Sequence, residues 1–338
     1  MDPSILLTKY IAKDKNASQK APEDIEKIFL QNFGSTYRVR NIENLFLSYF
    51  DTLFQILKIR TYKQAYKYNL VVQWPLYVRR PFKSSWFLSD RFRRKIAIIH
   101  DIDSLRFSPN DISKIHLEID ELNRFDCVIA HNKSMELWLY ENGLNTKVIT
   151  LNIFDYLSDY KLNLNHFGEY EIVVAGNLNK SSFLKEIDMV VKHRINAYGP
   201  LTDYAIPPNM NYMGSFSPNE LPLKIKGDFG LIWDGDSTQT CSGNNGNYMR
   251  YNNPHKLSLY ISCGLPVIVW EEAAIACFVK DHEIGIVIKS LSDLDSELDK
   301  VTSKQYENMV KNVNKLAEKI VKGKNTIEVI SLAINAEK

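Results

Sequence analysis

The stretch that says most about the fold is residues 95–131, KIAIIHDIDSLRFSPNDISKIHLEIDELNRFDCVIAH. Its two ends, Lys95–His100 and Asp126–His131, are short apolar runs of the kind that form buried strands. Between them, helical spacing over Ile112–Arg124 places four apolar side chains on one face: Ile112, Ile115, Ile119 and Leu122. Two apolar strands joined by a helix predict a parallel sheet that is covered on both faces.

The same alternation continues in both directions along the chain. Toward the N-terminus, Ser4–Ile11 and Asn69–Trp74 predict strands and Pro22–Asn32 predicts a helix. Beyond a polar, aperiodic segment at Ser158–Tyr170 there are six more strand-like runs: Glu171–Ala175, Arg194–Tyr198, Asn211–Met213, Phe229–Trp233, Pro266–Trp270 and Ile284–Ile288. We therefore predict an α/β protein with two doubly wound domains, residues 1–160 and 165–320, and a C-terminal helix over 321–338.

Composition narrows the class of protein. The 338 residues suit two domains, and 42 basic against 40 acidic residues leave a formal charge of +2, which argues against a nucleic-acid partner. The cysteines form no CxxC pair, so we expect neither a disulfide framework nor a zinc site, which fits a reducing cytoplasm. The N-terminus is a poor signal peptide, and no apolar run approaches the ~18 residues of a membrane span. We expect a cytoplasmic protein that meets a membrane only at its surface.

One local segment departs from the even charge balance. Residues 79–95 carry seven basic residues and one acid, Asp90, interleaved with Phe82, Trp86, Phe87 and Phe92. Basic and aromatic residues together suit the anionic inner face of a membrane. Single-stranded nucleic acid uses the same chemistry, and a solvated basic helix is the plainer alternative.

Two segments of the second domain are candidate anion sites. Gly176–Ser181 follows a strand and opens a predicted helix, where free N–H groups and the charge of Lys180 favour a phosphate. Asn252–Lys256 precedes a second helix and brings another cation. A diphosphate needs two such sites, although each segment alone also fits an ordinary capped turn or surface loop. The chain has neither a Walker loop nor a dinucleotide fingerprint.

Acidic residues at strand ends are the remaining candidates. His100-Asp101-Ile102-Asp103 follows a first-domain strand, where His100 or Asp101 would accept a proton from a hydroxyl, unless the carboxylate only caps the next segment. Asp234-Gly235-Asp236 has the DxD pattern that holds divalent cations in some enzymes. We favour a turn in which Asp234 contacts ligand, and we expect no metal.

Several blocks resemble the bacterial β-1,6-galactofuranosyltransferases of O-antigen and exopolysaccharide synthesis. The most specific is GLIWDGDSTQTCSGNNGNYMRYNNPHKLSLYISCGLPVIV within Phe229–Val269. The others, in order, are Ile99–Arg106, Phe125–Asn132, Ile153–Leu157, Val174–Asn179 and Tyr212–Phe216. More distantly, the chain is similar to glucosyltransferases that extend GlcNAc on serine-rich adhesins.

The resemblance implies a GT-B fold, two Rossmann-like domains facing a cleft, with a UDP-sugar bound by the second domain and the acceptor by the first. It implies that Lys256, with Asn253 and His255, contacts the diphosphate, as do Asn177 and Lys180. It further implies uridine between Tyr198 and Tyr212, Asp234 in the donor cleft, and Asp101 with His100 as the base. The first loop, with Asn16 and Ser18, lacks the glycines that often approach phosphate or acceptor in such enzymes.

The function that follows is inverting transfer of a hexose, galactofuranose in the first instance, from UDP to a sugar hydroxyl of a growing, lipid-linked cell-surface glycan. No cofactor is expected, because the UDP-sugar is a substrate. Two alternatives stay open: a UDP-glucose-dependent transferase acting on protein-linked glycans, and a non-catalytic UDP-sugar-binding subunit. The resemblance also leaves room for a homo-oligomer.

Overall fold

The computed structural model describes residues 3–9, 19–40, 44–78, 82–159, 169–202 and 205–336. The chain divides into two compact units. Unit 1 comprises residues 1–14, 21–151 and 325–338, and unit 2 comprises residues 15–20 and 152–324. The division thus falls at 151/152 rather than near 160, and the end of the chain returns to unit 1. Most of the predicted linker, residues 160–168, lies outside the described residues, as do Asn16 and Ser18.

Unit 1 is built on a six-stranded sheet in which every neighbouring pair is parallel. Its strands are β1 (Ser4–Lys9), β2 (Gly34–Val39), β3 (Asn69–Trp74), β4 (Arg94–Ile99), β5 (Cys127–Ala130) and β6 (Lys147–Thr150). Their order across the sheet is β2-β1-β3-β4-β5-β6. The central strands β3 and β5 are buried along their whole length, and in β3 this includes the polar side chains of Asn69 and Gln73.

The helices of unit 1 are α1 (Lys20–Asn32), α2 (Leu45–Arg60), α3 (Asp103–Phe107), α4 (Ile112–Leu122), α5 (Lys133–Glu141) and the last helix of the chain, Lys324–Asn335. Helix α4 buries Ile115, Ile119 and Leu122, which confirms the predicted face, whereas Ile112 at its first position is exposed. The last helix is tied to the sheet by the buried Arg94, whose guanidinium donates to the carbonyls of Ala333 and Ile334 at 3.0 and 3.1 Å.

Unit 2 repeats the plan with a second parallel six-stranded sheet. The strands are β7 (Ile172–Ala175), β8 (Ile195–Tyr198), β9 (Met210–Gly214), β10 (Phe229–Ile232), β11 (Val267–Trp270) and β12 (Gly285–Ile288), ordered β12-β11-β10-β7-β8-β9. All six strands were predicted, each within one or two residues of its observed ends.

The helices of unit 2 are α6 (Gly243–Tyr248), α7 (His255–Ser262), α8 (Ile275–Asp281), α9 (Leu294–Asp299) and α10 (Ser303–Ile320), so the last helix of the chain is α11. The helix expected to open at Gly176–Ser181 is instead a pair of 3₁₀ segments, Leu178–Lys180 and Ser182–Met189. Asn has a low helix propensity because its short polar side chain bonds nearby groups outside a helix. Here the Asn179 side chain accepts from the Thr202 N–H and donates to the Thr202 hydroxyl. Among the described residues, no helix is long and apolar enough to cross a membrane.

Candidate functional site

The carboxyl edge of the unit 2 sheet is lined by glycine backbone. Gly176 directly follows β7 and Gly199 follows β8, both at positive φ, and the Gly176 N–H donates to the Tyr198 carbonyl at 3.0 Å. The two backbone segments pass so closely that a Cβ on Gly199 would lie 1.7 Å from the Gly176 carbonyl oxygen. Only glycine permits this approach. The result is an edge with no side chain standing between the backbone and an incoming ligand at these two positions.

Lys256 brings a positive charge to this edge. It is the second residue of α7, and its Nζ donates to the carbonyl of Trp233, just beyond β10, at 3.2 Å. A Cβ on Gly176 would lie 3.2 Å from the Lys256 Cε, so the lysine side chain lies directly against that glycine. The half-buried ammonium therefore lies where adjacent strands β10 and β7 end, at the start of an eight-residue helix. A half-buried cation and a helix N-terminus both favour an anion.

The residues next to Lys256 support the backbone instead of presenting charge. The buried Asn253 amide donates to the carbonyl of Asn152 at 2.9 Å. His255 stacks on Tyr156 with 5.1 Å between ring centroids and bonds the Asp155 backbone, while its buried Nε2 has no partner. Burial, and secondarily the charge of Lys20, lowers the pKa of His255 to about 4. His255 is therefore neutral at pH 7 and supplies no charge to a diphosphate.

Beside His255 lies a buried cation that the sequence analysis missed. The Lys20 ammonium donates to the Leu157 carbonyl at 2.8 Å and lies 4.7 Å from the centroid of the Tyr156 ring. Lys20 follows the first loop, in a stretch (NASQK) that resembles the family only loosely. A lone lysine in such a segment gives no periodic signal, so the sequence could not place it beside α7.

The other residues predicted to bind the UDP-sugar fall into three groups. Asn177 and Lys180 are exposed near Gly176. Asn177 precedes a three-residue 3₁₀ turn and Lys180 is its last residue, so the α-helix N-terminus expected there is absent from this described segment. Tyr198 is a core residue whose hydroxyl lies between the Lys224 carbonyl and the Lys226 N–H, so it is not available to flank uridine. Tyr212 is exposed on the edge strand β9 and stays a prediction.

The Asp234-Gly235-Asp236 segment is a closed turn, as the sequence favoured. Asp234 accepts from the Gly235 N–H at 3.0 Å, and Asp236 accepts from the Ser242 hydroxyl. Asp234 remains half-buried directly after Trp233, beside the Lys256 contact. Within the described parts of the chain, no group of three or more His, Cys, Asp and Glu side chains is placed to hold a metal ion.

At the carboxyl edge of the unit 1 sheet, His100 is held by a hydrogen-bond relay. Its Nε2 lies 2.6 Å from Oε1 of Gln73, whose amide nitrogen donates to Thr8 and to the carbonyl of Pro22. Because Gln73 uses its nitrogen as a donor, its oxygen accepts from His100 Nε2. The neutral imidazole then carries its lone pair on Nδ1.

Asp101 and Asp103 lie beside His100 in a mixed cluster of charges. Arg106 Nη1 donates to Asp101 at 2.9 Å, and the Tyr77 hydroxyl donates to Asp103 at 3.1 Å. Burial raises the pKa of both carboxyls, and Arg106 opposes this for Asp101. Burial lowers the pKa of Lys9, whose Nζ lies 4.8 Å from the Tyr77 centroid. A buried carboxylate with a raised pKa is a stronger base than a surface carboxylate.

The loop that carries these acids is positioned by Glu118, which the sequence analysis did not single out. Its two oxygens accept from the backbone N–H groups of Asp103 and Ser104 at 3.2 and 2.8 Å, which caps α3. Trp74 Nε1 donates to the same carboxylate at 3.3 Å. Glu118 is one polar position among many on α4, so its role becomes visible only in three dimensions.

In the described part of the 79–95 segment, residues 82–95, most of the aromatic side chains are not available to a membrane. Phe82, Phe87 and Phe92 are buried, so three of the four aromatic side chains belong to the core. Arg94 is buried against α11, and Lys95 and Lys83 are paired with Asp90 and Glu121. These rings pack inward and cannot insert into a bilayer.

Comparison with known proteins defines the class. Models of the glucosyltransferase 3-like N-terminal and C-terminal domains match residues 4–153 and 172–333. Sucrose-phosphate synthase from Thermosynechococcus elongatus superposes with a TM-score of 0.65 at 10% identity, over 97% of this chain and 98% of that one. The fold is that of the GT-B glycosyltransferases.

The chain belongs to the glucosyltransferase 3-like family of glycosyltransferases, as its motifs implied. It is 33% identical to the β-1,6-galactofuranosyltransferase WbbI of Escherichia coli K12 over 280 residues, 79% of each chain. It is 27% identical to glucosyltransferase 3 of Streptococcus gordonii over 66% of this chain and 65% of that protein. The chain is accordingly a glycosyltransferase that uses a nucleotide sugar.

Proposed function

We propose that this glycosyltransferase transfers galactofuranose from UDP-galactofuranose to a sugar hydroxyl, with inversion at the anomeric carbon. The observation that carries the proposal is the half-buried Lys256 ammonium, held 3.2 Å from the Trp233 carbonyl and against Gly176. The galactofuranose donor is favoured by the relative whose name states that activity. The glucose donor is the second candidate, favoured by the relative named glucosyltransferase 3.

The proposed role of Lys256 is to stabilise the leaving group. As the bond from the anomeric carbon to the phosphate oxygen breaks, negative charge grows on the diphosphate. The Lys256 ammonium is already in place at the carboxyl edge of the unit 2 sheet, so it stabilises that charge without reorganising. Such preorganised charges usually make the largest single contribution to lowering the activation barrier. Lys180 is exposed and adds a weaker, solvent-screened attraction.

The base is proposed to be Asp101, oriented by Arg106. The acceptor hydroxyl attacks the anomeric carbon, UDP leaves from the opposite side, and the hydroxyl proton passes to the Asp101 carboxylate. One displacement of this kind inverts the configuration. His100, fixed by Gln73, lies next in sequence and is the second candidate for the proton.

Donor choice is tested by saturation-transfer NMR on the purified chain, with UDP-galactofuranose, UDP-galactopyranose and UDP-glucose each competing against UDP. We expect the furanose to displace UDP at the lowest concentration. Preference for UDP-glucose would replace the galactofuranose proposal by the second candidate. If none of the four bound, the donor site at Lys256 would be wrong.

Inversion at the anomeric carbon is tested separately, on the product of the transfer reaction. Octyl hexosides serve as acceptors, and the anomeric configuration of the product is determined by NMR. Inversion relative to the donor is expected, and retention would rule out a single displacement with Asp101 as base. The natural acceptor is proposed to be a glycan on a polyprenyl diphosphate lipid, so a lipid-linked sugar should be a better acceptor than the free sugar.

A further inference from the structure

Helix α2 presents its apolar residues to solvent and its polar residues to the protein. Six large side chains of α2 are between 46% and 72% exposed: Phe46, Leu47, Tyr49, Phe50, Phe54 and Leu57. The inward face carries Ser48, Thr52 and Gln55, all buried, beside Ile56 and Ile59. This is the reverse of the pattern that a surface helix ordinarily shows.

One inward polar side chain, Gln55, bonds to backbone outside the helix and fixes α2 in this orientation. Gln55 accepts from the Arg40 N–H at 2.9 Å and donates to the Asp51 carboxylate at 2.8 Å. Thr52 donates to the Ser48 carbonyl at 2.8 Å. The Thr52–Ser48 and Gln55–Asp51 bonds are internal to α2, but Gln55 also donates to the Arg40 carbonyl at 3.2 Å. Rotating α2 to bury its aromatic side chains would break both bonds between Gln55 and Arg40, which lies outside the helix. The outward apolar face is therefore a built feature of unit 1.

The apolar face continues past the helix. The Tyr49 ring lies 5.0 Å from Phe82, and Phe82 lies 5.7 Å from Trp86, which is itself partly exposed. The surface formed by the outward side chains of α2 together with Trp86 is called here the α2 face. An exposed apolar patch that is this continuous marks an interaction site.

The charge along the sequence that follows Asp51 is one-sided. Between Asp51 and Asp90 the sequence has no acidic residue and seven basic ones. Of these, five lie in described parts of the chain and are exposed: Lys58, Arg60, Lys63, Lys67 and Lys83. An apolar helix face bordered by lysine and arginine is complementary to a surface that is apolar within and anionic at its headgroups.

We propose that the α2 face binds the surface of an anionic lipid bilayer, with α2 lying in the plane of the interface. Its 16 residues span about 24 Å, less than the ~30 Å hydrocarbon core, so α2 lies in the interface and does not cross it. The proposal goes beyond the proposed function, because it concerns a surface of unit 1 and needs no sugar donor.

The test is flotation of the full chain with two kinds of vesicle, one of phosphatidylcholine alone and one of equal parts phosphatidylcholine and phosphatidylglycerol. We expect binding to the anionic vesicles that weakens with added salt. Phe50→Ser with Phe54→Ser should weaken it at least tenfold, because both side chains are exposed in solution and buried in the bilayer. Lys58→Glu with Lys63→Glu should weaken it by a similar factor.

Matched controls separate a local effect from a general one. Leu57→Ser on α2 should weaken vesicle binding, and Leu137→Ser on α5 is its control, since both leucines are about half exposed in unit 1. Lys304→Glu with Lys311→Glu on α10 makes the same charge change elsewhere. The controls should bind vesicles as the parent does, and circular dichroism should show every variant folded.

Two results would overturn the proposal. One is equal binding by parent and F50S/F54S. The other is a parent that floats with neither vesicle. If the parent then also forms a dimer that F50S/F54S dissociates, a second copy of the chain covers the α2 face instead. UDP binding, measured on the same samples, reports on the proposed function independently.

Discussion

At the scale of single residues, Gly199 lies so close to Gly176, at the carboxyl edge of the unit 2 sheet, that only glycine fits at position 199. Gly199→Ala would place its Cβ 1.7 Å from the Gly176 carbonyl, whereas Gly243→Ala, also at positive φ and in unit 2, meets nothing within 4 Å. We expect Gly243→Ala to cost about 1 kcal/mol from backbone strain alone, and Gly199→Ala at least about 4 kcal/mol. Urea unfolding measures both, and similar losses would refute the close approach.

The second residue-scale prediction concerns the acid limb of activity. The proposed base must be ionised, burial raises the pKa of Asp101, and Arg106 lowers it. Arg106→Met removes the main group that opposes burial and leaves only the weaker effect of Lys9, so activity should be lost at a higher pH as the solution is acidified. We expect the acid limb of kcat/KM to move up by roughly 1–3 pH units.

The control for that shift is Arg106→Lys, which keeps the positive charge and should restore much of the parent profile. An unchanged acid limb in Arg106→Met would mean that Asp101 is not the titrating base. His100 would then be the next candidate, because Gln73 already fixes its orientation.

At the scale of elements, helix α11 depends on one buried arginine. Arg94 donates to two carbonyls at the end of α11, which joins this C-terminal helix to the sheet of unit 1. Arg94→Met removes both charge-assisted bonds, and we expect amide exchange in α11 to speed up roughly 10²-fold. Hydrogen exchange with mass spectrometry measures it, and exposed Arg91→Met is the control. Equal exchange in the two variants would argue against this contact.

The same scale shows what the sequence could predict. The buried strands β5, β7 and β10 were predicted because an unbroken apolar run of this length fits a covered parallel sheet, and β3 was predicted from its shorter Leu-Val-Val run. Strands β2 and β6 were missed because they lie at the sheet edge with exposed or half-buried residues, GSTYRV and KVIT, that show no such run. Helix α2 was missed because its apolar face points outward, against the usual pattern.

At the scale of the whole molecule, the fold and the family could be predicted from the sequence, whereas the contacts that build the candidate site could not. The two-unit α/β plan and the family came from periodicity and from the long DGDS-to-NNPHK block. The contacts of Lys256 with Gly176 and Trp233 could not be predicted from the sequence. Lys256 is 80 and 23 positions away from these residues, and they meet only because β7 and β10 are neighbours in the sheet. Lys20 and Glu118 were invisible for the same reason.

The most direct prediction for the whole molecule is that Lys256, at the carboxyl edge of the unit 2 sheet, binds the diphosphate of UDP. Calorimetric titration of the parent and of Lys256→Ala with UDP and with uridine tests it directly, with exposed Lys304→Ala as the control. We expect Lys256→Ala to weaken UDP binding roughly 10- to 100-fold and to leave uridine binding unchanged, because the lost charge faces only the phosphates. Unchanged UDP binding, or an equal loss for uridine, would contradict the claim.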